Sequence, residues 1–282
     1  MEPIQTLYER EPPPAATLPP ALAALYDGEL AFSPAPGDRP LVIANFVATL
    51  DGVVSYALPG QRGGGAISGE SEPDHAVMAL LRAEADAVLF GAGSLHEDSG
   101  HVRTPEFIYP TLATAWAELR ARQGRSLLPL NVVVSGSGVV DLREANFHHP
   151  GLRVVIATTQ AGAARLAERD LPLGVETVAV ESAADGGVSP RALLTTLRRD
   201  YGVQLALHES GPRLFTAFLR AGCLDEIFLT LAPQFAGRAG DIARPALVEG
   251  HAFTPADAPW TNLISVKRAG DHLLLRYRRR DG

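Results

Sequence analysis

Beyond residue 40 the chain alternates short apolar runs with stretches of helical periodicity. The runs at 41–48, 87–91, 130–135, 152–157, 175–180, 204–208 and 226–231 are rich in Val, Ile, Leu, Ala and Phe. A continuous β-branched run such as Val132-Val133-Val134 suits a strand covered on both faces. Between the runs, residues 74–83, 112–121, 161–169, 190–200 and 213–221 carry apolar positions at helical spacing. Strands and helices in alternation predict an α/β fold with a mainly parallel sheet flanked by helices. The segments 262–268 and 272–278, joined by Gly270-Asp271, predict a C-terminal antiparallel hairpin.

Residues 1–40 follow a different pattern. Pro12-Pro13-Pro14, Pro19-Pro20, Pro34, Pro36 and Pro40 interrupt regular structure, because proline lacks an amide hydrogen and fixes φ. One short helix is expected at 21–26, where Leu22, Leu25 and Tyr26 share a face behind Pro20. The expected organisation is a Pro-rich arm, 1–40, lying on a main domain, 41–282, or on a partner subunit.

Composition narrows the function. With 46% hydrophobic and 20% charged residues, the chain of 282 has the make-up of a globular protein. A formal net charge of −7 argues against nucleic acid or an anionic membrane as partner. No run reaches the roughly 20 apolar residues of a membrane helix, and no signal-peptide pattern opens the chain. The lone Cys223 excludes an intrachain disulfide and a thiolate zinc cluster, and fits a cytoplasmic setting. His75, His101, His148, His149 and His251 lack metal-ligand spacing, so no metal is expected and a solvated or core place is expected for each. The basic run Arg276, Arg278, Arg279 and Arg280 reads as a solvated end strand and tail.

Chemistry concentrates in four turns that follow strands, where open α/β sheets bind ligands. Ala48-Thr49-Leu50-Asp51-Gly52 is either a tight turn or a site carrying a carboxylate. Gly91-Ala92-Gly93-Ser94 lets a phosphate approach backbone amides, yet His96 stands where a dinucleotide fingerprint needs its third glycine. Ser135-Gly136-Ser137-Gly138 is a plain turn or a ligand-binding one. Glu209-Ser210-Gly211-Pro212 opens a helix whose free amides suit a pyrophosphate, and it places a costly carboxylate beside them.

These turns occur in order with Ile67-Ser68-Gly69, Leu81-Arg82-Ala83, Ala221-Gly222-Cys223-Leu224-Asp225-Glu226 and Leu231-Ala232-Pro233. The set resembles the dihydrofolate-reductase-like reductase domain of riboflavin biosynthesis over roughly residues 40–278. The resemblance implies reduction of a phosphorylated ribosylaminopyrimidine to its ribitylamino product with NADPH, by a homodimer. It implies a cofactor site at Ala48, Ala66, Gly91, Gly93, Ser94, Asp98, Ser135, Gly136, Ser137, Gly211, Pro212, Arg213, Leu214 and Phe215. Asn45, Arg82, Val102, Arg103 and Glu209 then face substrate, with Asp51 and Glu209 as the catalytic carboxylates. The alternative for Arg82 is a surface ion pair with Glu84 or Asp86.

Three departures stand out. Asn45 replaces a frequent lysine, Gly63-Gly64-Gly65-Ala66 replaces a bulkier stretch, and Ser99-Gly100-His101-Val102-Arg103 replaces an acidic-Pro continuation. The deaminase domain often fused to such reductases needs zinc-binding cysteines that a single Cys223 does not supply. Two other readings stay open: a related reductase acting on another pterin, flavin or carbonyl compound, and a cofactor-binding protein without turnover. The strand at 226–231 is the expected subunit contact.

Overall fold

The computed structural model describes residues 2–11, 16–35, 37–58, 63–97, 99–240, 242 and 244–280. The prolines at 12–14, Pro36 and the expected cofactor residue Asp98 lie outside the described residues. In chain order the elements are β1 (Gln5–Glu9), α1 (Pro20–Tyr26), β2 (Leu41–Thr49), α2 (Gly65–Ser68), α3 (Glu72–Glu84), β3 (Ala87–Gly91) and α4 (Ala92–Glu97). Next come α5 (Pro105–Ile108), α6 (Ala113–Arg122), β4 (Leu130–Val134), β5 (Val154–Thr158), α7 (Gln160–Leu166) and β6 (Val175–Ala179). The chain ends with α8 (Pro190–Tyr201), β7 (Leu205–His208), α9 (Pro212–Arg220), β8 (Glu226–Ala232), β9 (Thr261–Ala269) and β10 (His272–Arg279).

Among the described residues ten strands form one sheet in the order β1-β9-β10-β8-β2-β7-β3-β4-β5-β6. The seven strands from β8 to β6 are parallel, whereas β10, β9 and β1 pair antiparallel at one end. Residues of α1, α3, α6 and α7 pack on one face around Leu80, Leu81, Trp116 and Leu166. On the other face, α8 and α9 bury Leu193, Leu194, Leu197, Phe215 and Phe218. The change of face follows from handedness. Parallel crossovers are right-handed, so a chain that steps outward from β3 to β6 and then returns to β7 must lay its later helices on the opposite side. Strand β7 therefore sits between β2 and β3, and the connections leaving it and its neighbours diverge. A crevice opens there, at the carboxyl ends of the strands.

Residues 1–40 are less irregular than their prolines suggest. Gln5–Glu9 pairs with β9 as the edge strand, and Ile4, Leu18, Leu22, Leu25, Tyr26 and Leu30 are buried with the main core. Each such apolar side chain contributes roughly 1.5–3 kcal/mol when buried. No helix among the described residues is long and apolar enough to cross a membrane.

One expectation needs correction, that for the C-terminal basic run, and the expected contact strand gains a structural limit. The run 226–231 is an interior strand whose backbone is paired on both sides, so only its side-chain face is open to a partner. The C-terminal basic run is not simply solvated. Arg276, 4% exposed, donates from Nε to Glu226 at 2.7 Å, and Arg278 Nε does so at 2.8 Å. Neighbouring Asp225 accepts both prongs of Arg39 at 2.7 Å and the amide of Val42, which anchors the start of β2. The acidic pair in the sequence motif is thus a structural clamp. Removing one member of a buried pair leaves an uncompensated charge. Glu226→Gln is expected to lower the unfolding free energy by about 3–5 kcal/mol in urea titrations, with little change in the denaturant slope.

Candidate active site at the carboxyl edge of the sheet

Helix α3 begins at Ser71, whose hydroxyl accepts the Asp74 amide, with Pro73 in the first turn. Its last carbonyls are tied by one side chain. Arg120 of α6, 1% exposed, donates to the carbonyls of Arg82, Ala83 and Ala85 at 3.3, 3.0 and 2.7 Å. Those are groups a helix end otherwise leaves unpaired. With its backbone pinned, Arg82 projects its guanidinium toward the end of β7.

There it meets Glu209. Nε lies 3.1 and 3.0 Å from the two carboxylate oxygens, and Nη2 lies 2.8 Å from Oε2. Nη1 donates to the Thr104 carbonyl at 3.2 Å, and Nη2 also faces His101 Nε2 at 2.9 Å. Both side chains of the pair are under 10% exposed, at 3% and 8%. The surface-pair alternative for Arg82 is excluded, because Glu84 and Asp86 pair with Arg125 instead. Equally, Arg82 is not an open fork waiting for phosphate. Two of the expected substrate residues satisfy each other.

His101 was expected only as a solvated or core residue, and the structure places it on Arg82. A guanidinium only donates, so His101 Nε2 must accept and the ring is neutral. Burial first, then the charges of Arg82, Arg103 and His75, push its pKa down to about 2. The ring rests against Phe107, with centroids 4.8 Å apart. A lone histidine in a polar loop gives no sequence signal for this role.

Arg103, 2% exposed, stacks 4.0 Å from the Phe90 ring centroid and donates to the Ser94 carbonyl at 3.3 Å. Asn45 lies on the α3 side of β2, lining a small internal pocket with Val77 and Thr230. Val102 and Phe215, expected to touch ligands, have side chains packed in the core at 4% and 2% exposure. Phe215 packs edge-on to Phe46 and His208, at 5.0 and 6.0 Å between centroids.

The glycine turns differ in kind. Residues 92–94, expected as a loop, form the first turn of α4 directly after β3. Ser94 Oγ accepts the Gly211 amide at 3.1 Å, joining the turn after β3 to the turn after β7. Gly211 caps α9 without a side-chain bond, and Pro212 begins the helix. Arg213 is exposed and Leu214 half-buried at that end. Two helix N-termini thus start side by side on neighbouring strands, where amide groups and the helix dipole favour anions. A Cβ on Gly211 would stand 3.7 Å from Ser94 Oγ, and one on Gly91 3.8 Å from Leu214. The backbone here is open to a ligand, and the donor set fits the phosphates of a nicotinamide dinucleotide.

By contrast, the turn 135–138 spends its hydroxyls on itself. Ser135 Oγ donates to the Val139 carbonyl and Ser137 Oγ accepts the Val139 amide. Gly138, at φ +70°, approaches the Gly162 backbone so closely that a Cβ would clash. Compact packing accounts for Gly138.

Asp51 has a structural task. Its carboxylate accepts from Thr49 Oγ1 at 2.6 Å and from the amides of Ala236 and Gly237 at 3.1 and 2.7 Å. The Thr49 hydroxyl foremost, then the Ala236 amide, hold its pKa down at about 2. Asp51 therefore ties the turn after β2 to the segment after β8, beside Ala48 and the short helix α2 that carries Ala66. Asp51 is therefore a poor proton donor near neutrality. Gly64 explains part of the altered glycine stretch, since a Cβ there would lie 2.8 Å from Val47. No cluster of potential metal ligands occurs among the described residues.

A pH prediction follows from Asp51. Its folded pKa is depressed, so its stabilising bonds are fully present above the ordinary value of 3.8 and fade as pH falls through about 2. The Tm advantage of the wild type over Asp51→Asn should shrink across that window and vanish below it. A pH-independent difference would separate the effect from the carboxylate.

A sequence profile described as the RibD C-terminal domain matches residues 40–272. A curated relative from Archaeoglobus fulgidus, 2,5-diamino-6-ribosylamino-4(3H)-pyrimidinone 5′-phosphate reductase, is 29% identical over 219 residues, covering 76% of this chain and 89% of that protein. Among solved structures, a pyrimidine reductase-like protein from Corynebacterium diphtheriae superposes with a TM-score of 0.64 at 20% identity, covering 86% of this chain and 93% of its own. RibD from Acinetobacter baumannii gives 0.62 at 21% identity over 86% of this chain, which spans 59% of that protein's length. The mostly parallel sheet with its antiparallel end is the architecture of these structures, and the chain belongs to the RibD C-terminal domain family.

Proposed function

We propose that this protein is an NADPH-dependent reductase of a ribosylaminopyrimidine 5′-phosphate, forming the ribitylamino product in riboflavin biosynthesis. The observation that carries the reading is the juxtaposition of a buried Arg82–Glu209 pair with two helix N-termini at one crevice of the sheet. The A. fulgidus reductase, named for this reaction, supports the choice of substrate. The dinucleotide phosphates lie against Gly91, Gly93, Ser94, Gly211, Pro212, Arg213 and Leu214. Ala48 and Ala66 border the nicotinamide, and Ser135, Gly136 and Ser137 border the adenosine end. When bound, the reduced nicotinamide supplies the hydride.

The chain's own residues orient and polarise. Arg82 keeps Glu209 as a fixed carboxylate that accepts hydrogen bonds from the sugar hydroxyls, while Asn45 fixes the pyrimidine edge. Arg103 and Arg82 are the local cations of a net-acidic chain, and in this proposal their positive potential draws the substrate phosphate to the crevice while Glu209 holds the Arg82 fork. Burial of the pair in a low-dielectric crevice strengthens each of these contacts.

Two substitutions test the division of labour. Gly211→Val intrudes on the phosphate cradle and should weaken NADPH binding at least tenfold, about 1.4 kcal/mol. Arg82→Ala should raise the KM for substrate about tenfold or more, with NADPH affinity near its original value, and Arg82→Lys should recover only part. Equal losses of both ligands in both variants would contradict the assignment. Steady-state kinetics with NADPH titrations resolves the pattern.

The protein also acts as a homodimer in this proposal. On the face that α8 and α9 leave bare, β8 and β10 present Ile227, Leu229, Leu231, Leu273, Leu275 and Tyr277 in paired register. Leu273 is 36% exposed and the β8 residues are half-buried, an apolar surface of the kind that marks an interface. Leu229→Glu should give a folded monomer in sedimentation velocity where the wild type is a dimer. A wild-type monomer at micromolar concentration would remove the dimer.

A further inference from the structure

Arg82 spends its hydrogen-bond donors inside the protein. Nε and Nη2 grip the two oxygens of Glu209, Nη1 donates to the Thr104 carbonyl, and Nη2 also donates to His101. The Arg82 side chain is only 3% exposed. His101 is half-buried, and Phe107, whose ring it touches, is 45% exposed, so these two rings stand at the surface of the crevice. A ligand arriving there meets His101 before it meets the guanidinium.

The contact with Arg82 also decides which ring nitrogen carries the proton. Nε2, 2.9 Å from Arg82 Nη2, accepts, so the one proton of the neutral ring sits on Nδ1. Among the described residues Nδ1 has no hydrogen-bond partner. We propose that His101 is a substrate-binding residue that donates its Nδ1–H to the substrate phosphate and so presents the charge of the buried Arg82 at the mouth of the crevice. The ligand comes from the ribosylaminopyrimidine 5′-phosphate reading, on which the inference rests.

Hydrogen bonds in a chain polarise one another. A carboxylate behind a histidine makes the ring a better base, whereas a guanidinium behind it draws electron density from Nε2 and strengthens Nδ1–H as a donor. Burial first, then the charges of Arg82, Arg103 and His75, keep this ring uncharged down to a pH of about 2. The same charges give the position a positive potential, which favours an anion over a sugar hydroxyl. Arg103 adds to that potential from within, since it is 2% exposed and stacked on Phe90. The one carboxylate in contact with Arg82, Glu209, has its charge offset by the same guanidinium.

Three substitutions separate donation from packing. Leucine offers neither acceptor nor donor, glutamate only an acceptor, and glutamine both on one amide. His101→Leu should raise the KM for the phosphorylated substrate about tenfold, with kcat and NADPH affinity close to wild type. His101→Gln should recover most of that loss, and His101→Glu should bind worst, because it adds a negative charge and has no proton to give. A structural role alone predicts that His101→Glu, which still holds Arg82, performs as well as His101→Gln. The KM for the dephosphorylated substrate should not change in His101→Leu. An equal rise for both substrates would overturn the proposal and leave the reductase reading intact.

Nitrogen NMR of histidine-labelled protein, assigned with His101→Gln, gives a readout that needs no turnover. At about pH 5, where a histidine near the ordinary value of 6.5 is charged, His101 should be neutral with its proton on Nδ1. Its N–H signal should move on addition of ribose 5-phosphate and stay in place with ribose. A proton on Nε2, a charged ring, or the same response to both sugars would overturn the proposal even if the pyrimidine assignment failed.

Discussion

Arg82 and Glu209 come from opposite ends of the chain's winding, one from the first crossover helix and the other from the strand that returns to the middle of the sheet. Their bidentate contact closes the crevice that the return creates. It also sets what surrounds it. His101 must be neutral to accept from the same guanidinium, and the Thr104 carbonyl turns inward to meet it. Arg120 holds the backbone of Arg82 by occupying the end of α3. Leaving either charge alone in this position would cost several kcal/mol, so the pair holds the site in one geometry before any ligand arrives.

Around that pair the carboxyl groups divide by their partners. Asp51 stays ionised in a nest of donors and locks two loops together. Glu209 is gripped by a guanidinium through both oxygens. Two carboxyls at one site thus serve different tasks, anchor and hydrogen-bond acceptor, because their neighbours differ.

Much of the fold was legible in the residues. Continuous aliphatic runs marked β3, β4 and β7 almost to the residue, since buried parallel strands have no polar alternation to confuse them. Helices α3, α8 and α9 were visible from apolar periodicity and from Pro near their first turns. The short pieces were not. Helices α2, α4 and α5 hold four to six residues, too few for a period to register, so residues 92–94 read as a loop. Strand β1 owes its place to pairing with β9, about 260 residues away, and nothing local announces it. At the site, the loop order pointed to Arg82 and Glu209 separately, but their mutual contact depends on topology. Val102 and Phe215 sit inside recognisable segments, and only packing shows that their side chains turn into the core. His101 is ordinary in sequence, and burial beside Arg82 gives it its chemistry.

The central claim is that this crevice transfers a hydride to the sugar carbon of a ribosylaminopyrimidine phosphate. Single-turnover reaction with NADPH deuterated at the transferring position of the nicotinamide, followed by mass spectrometry and NMR of the product, tests it directly. One deuterium at C1′ of a ribitylamino product is the expected result. Oxidation of NADPH with no deuterium at C1′, or no turnover of this substrate by a protein that binds NADPH, would contradict it.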